Sequence, residues 1–208
     1  MNTGFSALFA RHPRLEACEK DLSDALEVLN AAYRDGHKLL VCGNGGSAAD
    51  SEHIVGELMK SFVKRRPIPA EHAAQLERGG DRGKQIAGRL EGALAAISLP
   101  SQMSLLTATA NDRDYEMTFA QQVYGLGRPG DVLLAISTSG NSRNVCHAVV
   151  VAKAFGLKSI GLTGRSGGEL ASLADIAIKV PSDNVAEIQE LHLPVYHWLS
   201  TELEAAFF

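Results

Sequence analysis

The stretch "DVLLAISTSGNS", residues 131–142, joins a fully apolar run to a polar turn that contains glycine. A continuous apolar run such as Val132–Ile136 is typical of a central strand in a parallel sheet, because such a strand is buried on both faces. Helix-like stretches separate this run from four others like it. The sequence therefore predicts βαβ crossovers and an α/β three-layer sandwich around a five-stranded parallel sheet. The other four runs are residues 38–42, 93–99, 158–162 and 176–180.

Two longer helices are expected outside the alternating pattern. Apolar residues recur at three- and four-residue steps from Leu15 to Tyr33, which predicts an N-terminal helix over about residues 13–36. A last helix is expected from about Asn184 to Phe207. Asn184 has a glutamate three residues on, the spacing of a capping box, and Pro194 is expected to kink the helix.

One segment, residues 64–92, differs in composition from the rest of the chain. It holds seven Lys and Arg residues against four Asp and Glu residues, and it separates the second predicted helix from the second predicted strand. Short helices are expected around its paired glycines, Gly79 and Gly80. We interpret it as an inserted segment within a single domain that spans residues 1–208.

Composition and charge exclude several classes of protein. The formal net charge of -4 argues against general nucleic-acid binding, which needs a basic surface. No apolar run reaches the length of a membrane span, and residues 7–10 are too short for the core of a signal peptide. The three cysteines, Cys18, Cys42 and Cys146, are odd in number and widely spaced. They favour a reducing compartment, so a cytoplasmic protein without nucleic-acid or membrane partners is expected.

Three loops follow predicted strands at the sheet edge where open parallel sheets bind ligands. They read "GNGGS" (43–47), "STSGNS" (137–142) and "TGRSGG" (163–168). The second loop combines four hydroxyls with a glycine and the start of a helix, which favours a phosphate dianion. The alternative is an ordinary polar turn with a capping serine. The four hydroxyl residues are Ser137, Thr138, Ser139 and Ser142.

The first loop loosely fits a dinucleotide-binding fingerprint, G-x-G-x-x-A, at Gly43, Gly45 and Ala48. That interpretation requires a second strand about 20 residues on that ends in an acidic residue. The chain reads "FVKRRPIP" there, with neither feature. We therefore expect the glycines to let Asn44 and the backbone contact a ligand directly.

A histidine and a glutamate, His53 and Glu57, are four residues apart and share one helix face. Alone, this spacing indicates a solvated or hydrogen-bonded pair. A second set in "EIQELHLPVYHWL" favours a functional site, because Gln189 and His197 lie only about 80° apart around an ideal helix. His192 is a rival candidate, but its place near the apolar side is more typical of a hydrogen-bonded packing histidine.

Five segments occur in order over most of residues 15–205, and together they resemble the sugar isomerase (SIS) domain family. They are "CGNGGSAADSEHIVGEL", "ANDRDYE", "GRPGDVLLAISTSGNS", "GLTGRSGGELASLADIAIKVP" and "IQELHLPVYH". The chain is most similar to the phosphoheptose isomerase branch. This resemblance implies a flavodoxin-like fold, a homotetramer, and an aldose–ketose isomerase. The implied reaction converts sedoheptulose 7-phosphate to a heptose 7-phosphate through an enediol.

The resemblance also assigns roles by position. Glu57 is expected to act as the base and His197 as its acid–base partner, with one zinc ion per subunit on His53, Glu57, Gln189 and His197. A carboxylate bound to zinc is a weaker base, so whether the metal is catalytic or organises the pocket stays open. The implied substrate-binding residues are Asn44, Gly45, Gly46, Ser47, Glu57, Asn111, Asp112, Ser137, Thr138, Ser139, Ser142 and Gln189.

Two departures from the family pattern leave alternatives open. Residues 64–92 are longer than the usual connection, and they fit either a basic lid over the pocket or a surface excursion at a subunit interface. Ser61, with Lys60 beside it, stands where the motif usually has arginine. An isomerase of another phosphosugar, or a non-catalytic sugar-phosphate-binding regulator, remains a rival interpretation.

Overall fold

A computed structural model of the protein describes residues 3–208. Its five strands form one parallel sheet in the order β2-β1-β3-β4-β5, which confirms the predicted flavodoxin-like α/β fold. The strands are β1 (Leu39–Cys42), β2 (Ala96–Ser98), β3 (Val132–Ile136), β4 (Lys158–Thr163) and β5 (Ile176–Lys179). All five predicted apolar runs therefore form strands.

Ten α-helices flank the sheet within the described residues. They are α1 (Thr3–Arg11), α2 (Glu19–Arg34), α3 (Gly46–Met59), α4 (Ala70–Glu77), α5 (Gly80–Ala87), α6 (Met103–Asp112), α7 (Thr118–Leu126), α8 (Arg143–Ala154), α9 (Gly168–Leu173) and α10 (Val185–Phe207). Short 3-10 turns over Pro13–Cys18 and Tyr115–Met117 precede α2 and α7. No helix among residues 3–208 is long and apolar enough to cross a membrane.

The middle strand β3 is apolar throughout because both of its faces are covered. Val132, Leu134 and Ile136 belong to the core on the side of α2, α3 and α10. Leu133 and Ala135 belong to the opposite core, with α7 and α8. Successive side chains of a strand point to opposite faces, so a strand covered on both faces needs an apolar residue at every position.

Two predicted helices differ from the observed ones at their ends. The sequence predicts a helix over residues 47–63, but α3 stops at Met59, because the amides of Phe62 and Val63 donate to the Glu204 carboxylate at 2.9 Å each. The N-terminal prediction missed α1 and merged a proline-initiated 3-10 turn with α2. Helix α10 begins after Asn184 as predicted and continues through Pro194 to Phe207.

The capping box predicted at the start of α10 is only half formed. The Asn184 side chain accepts from the amides of Ala186 and Glu187. The Glu187 carboxylate does not complete the box by binding the Asn184 amide, which donates to the Ser182 hydroxyl. It accepts instead from the Ser182 hydroxyl and from Arg14. The cap therefore also ties α10 to the turn before α2.

The inserted segment, residues 64–92, forms a helical hairpin of α4 and α5, on either side of the paired glycines. No residue of α4 is buried, although the structure describes the whole helix. The base of the hairpin is closed by a hydrogen bond of 2.7 Å from the Gly92 amide to the Arg66 carbonyl. The hairpin therefore projects from the domain on a fixed base.

Candidate active site

The site is built where α3 and α10 lie side by side. Gly46, at the start of α3, lies against Gln189, and a Cβ atom placed on Gly46 would lie 2.5 Å from the amide nitrogen of Gln189. Seven residues later on α3, His53 contacts His197, eight residues after Gln189 on α10. The two contacts are about 10 Å apart along α3, and they show that the helices run in the same direction.

His53 is the centre of a three-residue cluster. Its Nε2 atom lies 3.1 Å from Glu57 Oε1 and 3.4 Å from His197 Nε2. The Glu57 side chain is 13% exposed and that of His53 is 41% exposed, so the cluster is open on the His53 side. The structure thus brings together the proposed base and its proposed acid–base partner, which the sequence separates by 140 residues.

The electrostatics of the cluster favour a neutral His197. Burial lowers the pKa of His197, nearby His53 lowers it further, and the Glu57 carboxylate only partly opposes them. A neutral imidazole can accept a proton or bind a metal. The ammonium of Lys60 lies 3.3 Å from Glu57 Oε2, so a lysine supplies positive charge next to Ser61, the position where the family motif usually has arginine.

The donor atoms of the cluster suit zinc in kind. Imidazole and carboxylate ligands are common around zinc at about 2.0–2.2 Å, which separates two ligands by a little over 3 Å. Among residues 3–208, however, no group of three or more His, Cys, Asp and Glu side chains is arranged to hold a metal ion. Metal binding by His53, Glu57 and His197 would therefore require their side chains to rotate. The fourth predicted ligand, Gln189, lies against Gly46 about 10 Å away along α3, so it would also have to turn towards the cluster.

Two residues that sequence reasoning missed lie on the Nδ1 side of His53, away from Glu57. The buried hydroxyl of Tyr196 lies 3.1 Å from His53 Nδ1 and 3.2 Å from Asp50 Oδ1. Burial raises the pKa of Asp50, while the Tyr196 hydrogen bond and His53 act in the opposite direction. Asp50 lies three residues before His53, but its link to Tyr196 depends on how α3 packs on α10.

The predicted phosphate loop, residues 137–142, contacts the loop after β4. The Gly164 amide donates to the Thr138 carbonyl at 3.0 Å, and a cleft of about 240 Å³ lies beside these loops. Ser137 Oγ and Ser142 Oγ are 3.0 Å apart, and Ser139 is exposed. Gly140 has φ +69°, a left-handed conformation that favours glycine. The four hydroxyls thus surround a tight turn just before α8.

The first loop is held by a pair of asparagines. Asn44 and Asn144 exchange two side-chain hydrogen bonds of 2.9 Å, and the Tyr115 hydroxyl donates to Asn44 at 2.7 Å. Sequence reasoning missed Asn144, although a polar residue buried just inside α8 is an available signal. Gly45 precedes α3 with φ +55°, and Ser47 is buried.

Three predicted or rival residues lie apart from the cluster. Asn111 and Asp112 are exposed at the end of α6 and hydrogen-bond to each other at 2.9 Å. Apart from this bond, neither makes a hydrogen bond to a predicted site residue within the described chain. His192 is fully buried with no hydrogen bond of normal geometry at either ring nitrogen, which agrees with a packing histidine but not with a hydrogen-bonded one.

Comparisons with known proteins agree with this fold and with the motifs. SIS domain family models match residues 7–97 and 85–194. A phosphoheptose isomerase of Akkermansia muciniphila is 38% identical over 177 residues, which cover 85% of this chain and 80% of the relative.

Two solved structures are similar over nearly their whole length. A phosphoheptose isomerase from Neisseria gonorrhoeae is 34% identical, with a TM-score of 0.73 and 97% of each chain covered. One from Francisella tularensis is 31% identical, with a TM-score of 0.75, and covers 98% of this chain and 96% of its own. The family predicted from the five segments is confirmed: the chain belongs to the SIS domain family, in its phosphoheptose isomerase branch.

Proposed function

We propose that this protein is an aldose–ketose isomerase that converts sedoheptulose 7-phosphate to a heptose 7-phosphate. The observation that carries the proposal is the meeting of Glu57 and His197 around His53. A sugar-phosphate-binding regulator needs a phosphate cradle but no such acid–base set. The phosphoheptose isomerases among the relatives support the substrate.

The cluster supplies what enediol chemistry requires. The Glu57 carboxylate removes a proton from the carbon beside the carbonyl, and the electron pair left on that carbon forms the enediol double bond. His197 takes the proton of the neighbouring hydroxyl group and gives one to the carbonyl oxygen, so that the hydroxyl oxygen becomes the new carbonyl oxygen. Glu57 then returns its proton to the adjacent carbon. The low exposure of Glu57, 13%, limits competition from water.

The loop of residues 137–142 is proposed to hold the phosphate of the substrate. Its hydroxyls and the start of α8 can donate hydrogen bonds to a dianion, and the positive end of the helix dipole favours it. Asn44, held by Asn144 and Tyr115, lies at the neighbouring loop and is proposed to contact the sugar, together with Gly45, Gly46 and Ser47. Asn111, Asp112 and Gln189 are proposed to complete the sugar contacts.

We further propose one zinc ion per subunit, held by His53, Glu57, Gln189 and His197. When bound, zinc acts as a Lewis acid that polarises the sugar carbonyl. Support comes from the chemistry of the donors and from the 3.4 Å separation of the two imidazole nitrogens. Elemental analysis should find about one zinc per chain in the wild type and a large loss in His53→Ala. Equal metal in both proteins would contradict this site.

A homotetramer in the cytoplasm is proposed as the setting of the enzyme. Large apolar side chains on α6 and α7 are exposed, including Met103 at 66% and Tyr124 at 61%, which supports burial by other copies of the chain. The three cysteines are free and buried, which supports a reducing compartment. Light scattering should give four times the mass of one chain, and a monomer would contradict the proposal.

The direct test of the function is an isomerase assay with a panel of phosphorylated sugars. We expect the highest kcat/KM with sedoheptulose 7-phosphate, and lower values with pentose, hexose and amino-sugar phosphates. Greater activity on another sugar would replace the substrate but keep the reaction. Binding without turnover of every sugar in the panel would favour the regulator.

A further inference from the structure

The phenol of Tyr196 joins Asp50 to the back of His53. Its oxygen lies 3.2 Å from Asp50 Oδ1 and 3.1 Å from His53 Nδ1. The residue is 2% exposed, and its ring packs edge-on against His53 and His197 at centroid distances of 5.4 Å and 5.1 Å. The hydroxyl is therefore held in one place, between two groups that can each take its single proton.

The chemistry of the two neighbours decides the direction of these hydrogen bonds. An ionised carboxylate only accepts, and hydrogen bonds to an ionised acceptor are stronger than those between neutral groups. Tyr196 therefore donates to Asp50. The phenol oxygen is then left to accept, and the only hydrogen that His53 can offer it is the one on Nδ1.

We infer that Asp50 and Tyr196 fix the tautomer of neutral His53, with the proton on Nδ1 and the lone pair of Nε2 facing Glu57 and His197. This inference rests on the proposed isomerase site, in which Asp50 and Tyr196 become positioning residues. The tautomer matters because an Nε2 lone pair can accept a proton or bind a metal. The opposite tautomer donates its Nε2 proton to Glu57 Oε1, 3.1 Å away, in a hydrogen bond that occupies the proposed base. Once Tyr196 donates to Asp50, that tautomer also leaves the phenol oxygen and Nδ1 only 3.1 Å apart with no hydrogen between them.

The tautomer can be read directly by nitrogen NMR of metal-free protein with labelled histidines, at a pH above the ordinary pKa of histidine. The His53 signals are assigned by their loss in His53→Gln. In the wild type we expect the proton on Nδ1. In Tyr196→Phe we expect it on Nε2, because the Glu57 carboxylate is then the strongest remaining acceptor beside the ring.

Two further variants keep this test specific. Asp50→Asn removes the carboxylate charge that favours donation of the Tyr196 proton to residue 50. The fraction of His53 with its proton on Nε2 should therefore rise in this variant as well. Tyr33→Phe is the matched control, because it also removes one phenol hydroxyl. That hydroxyl donates to the Ala95 carbonyl at 3.3 Å and makes no hydrogen bond to His53 or Asp50. The His53 tautomer should not change in that control.

Kinetics test whether the tautomer serves the reaction. Tyr196→Phe should lower kcat with the preferred sugar about 10-fold or more, the usual cost of losing a residue that orients a ligand, and should change KM little. A wild-type His53 protonated on Nε2, or a Tyr196→Phe spectrum like that of the wild type, overturns the inference. A changed tautomer with unchanged kcat overturns the positioning role. The expected tautomers in a wild type that isomerises no sugar would support the inference and overturn the proposed function.

Discussion

Two clusters of ionisable groups join α3 to α10, and they are built in opposite ways. One is the cluster of His53, Glu57 and His197. The other is the pair of Arg66 and Glu204, whose Nε and Oε1 atoms are 2.6 Å apart. His197 and Glu204 are seven residues apart on α10, so the clusters are separated by about two helical turns.

In the second cluster nearly every polar group has a partner. Arg66 is 0% exposed and donates to the Leu58 and Glu57 carbonyls at 2.8 Å and 2.9 Å, which closes the end of α3. Glu204 is 1% exposed and also accepts from three backbone amides, those of residues 62–64. Burial raises the pKa of Glu204, but these amides and the guanidinium outweigh it, so the pKa lies below its usual range.

The difference distinguishes charged groups that stabilise the fold from titratable groups that are open to a ligand. Arg66 and Glu204 are fully buried and neutralise each other, so their charges hold the chain in place. His53 has an exposed side and a ring nitrogen that faces two other titratable groups, which leaves it free to exchange protons or bind a metal. Because its guanidinium binds Glu204 and the end of α3, Arg66 is not available to replace the arginine that the family motif usually has at position 61.

The largest expected effect comes from breaking the structural pair. Glu204→Ala should lower the free energy of unfolding by about 3–5 kcal/mol, because it leaves the Arg66 guanidinium buried without its charge partner. Urea denaturation measures the loss. Glu202→Ala, on the same helix and half-buried, is the matched control and should cost much less. Equal losses in the two variants would show that the pair is not special.

The mirror experiment removes the acid from the open cluster. Glu57→Gln should lower kcat at least about 10²-fold, the usual scale of general acid–base catalysis, because an amide cannot accept the proton. Its free energy of unfolding should change by no more than about 0.5 kcal/mol, since Glu57 is not needed to neutralise a buried charge. Glu52→Gln, on the same helix, should keep full turnover. Full turnover by folded Glu57→Gln would remove Glu57 as the base.

The sequence predicted the two clusters unequally. The fold followed from five apolar runs, and the open cluster followed from i, i+4 spacing and from motifs that resemble a family. Arg66 lies in the run "KRRP", which looks like solvated surface, and its partner is 138 residues away. No local pattern marks such a pair. The contacts of the Tyr196 hydroxyl with Asp50 and His53 were missed for the same reason, because they exist only once α3 and α10 are packed together.

His192 offers the smallest expected effect, because this ionisable group of α10 is buried without the partners that Glu204 has. Burial lowers its pKa to about 4, and the Thr163 backbone opposes this only weakly. Between pH 6.5 and 4 the unfolded chain binds a proton at His192 that the folded chain does not, so stability falls as pH falls. The free energy of unfolding should fall by about 1 kcal/mol between pH 7 and pH 5.5 for this reason.

Urea denaturation at several pH values measures this loss. His192→Leu should remove the contribution of His192 to the pH dependence, whereas His72→Gln, at an exposed histidine of α4, should leave it intact. The same slope in all three proteins would mean that burial without partners does not keep His192 neutral.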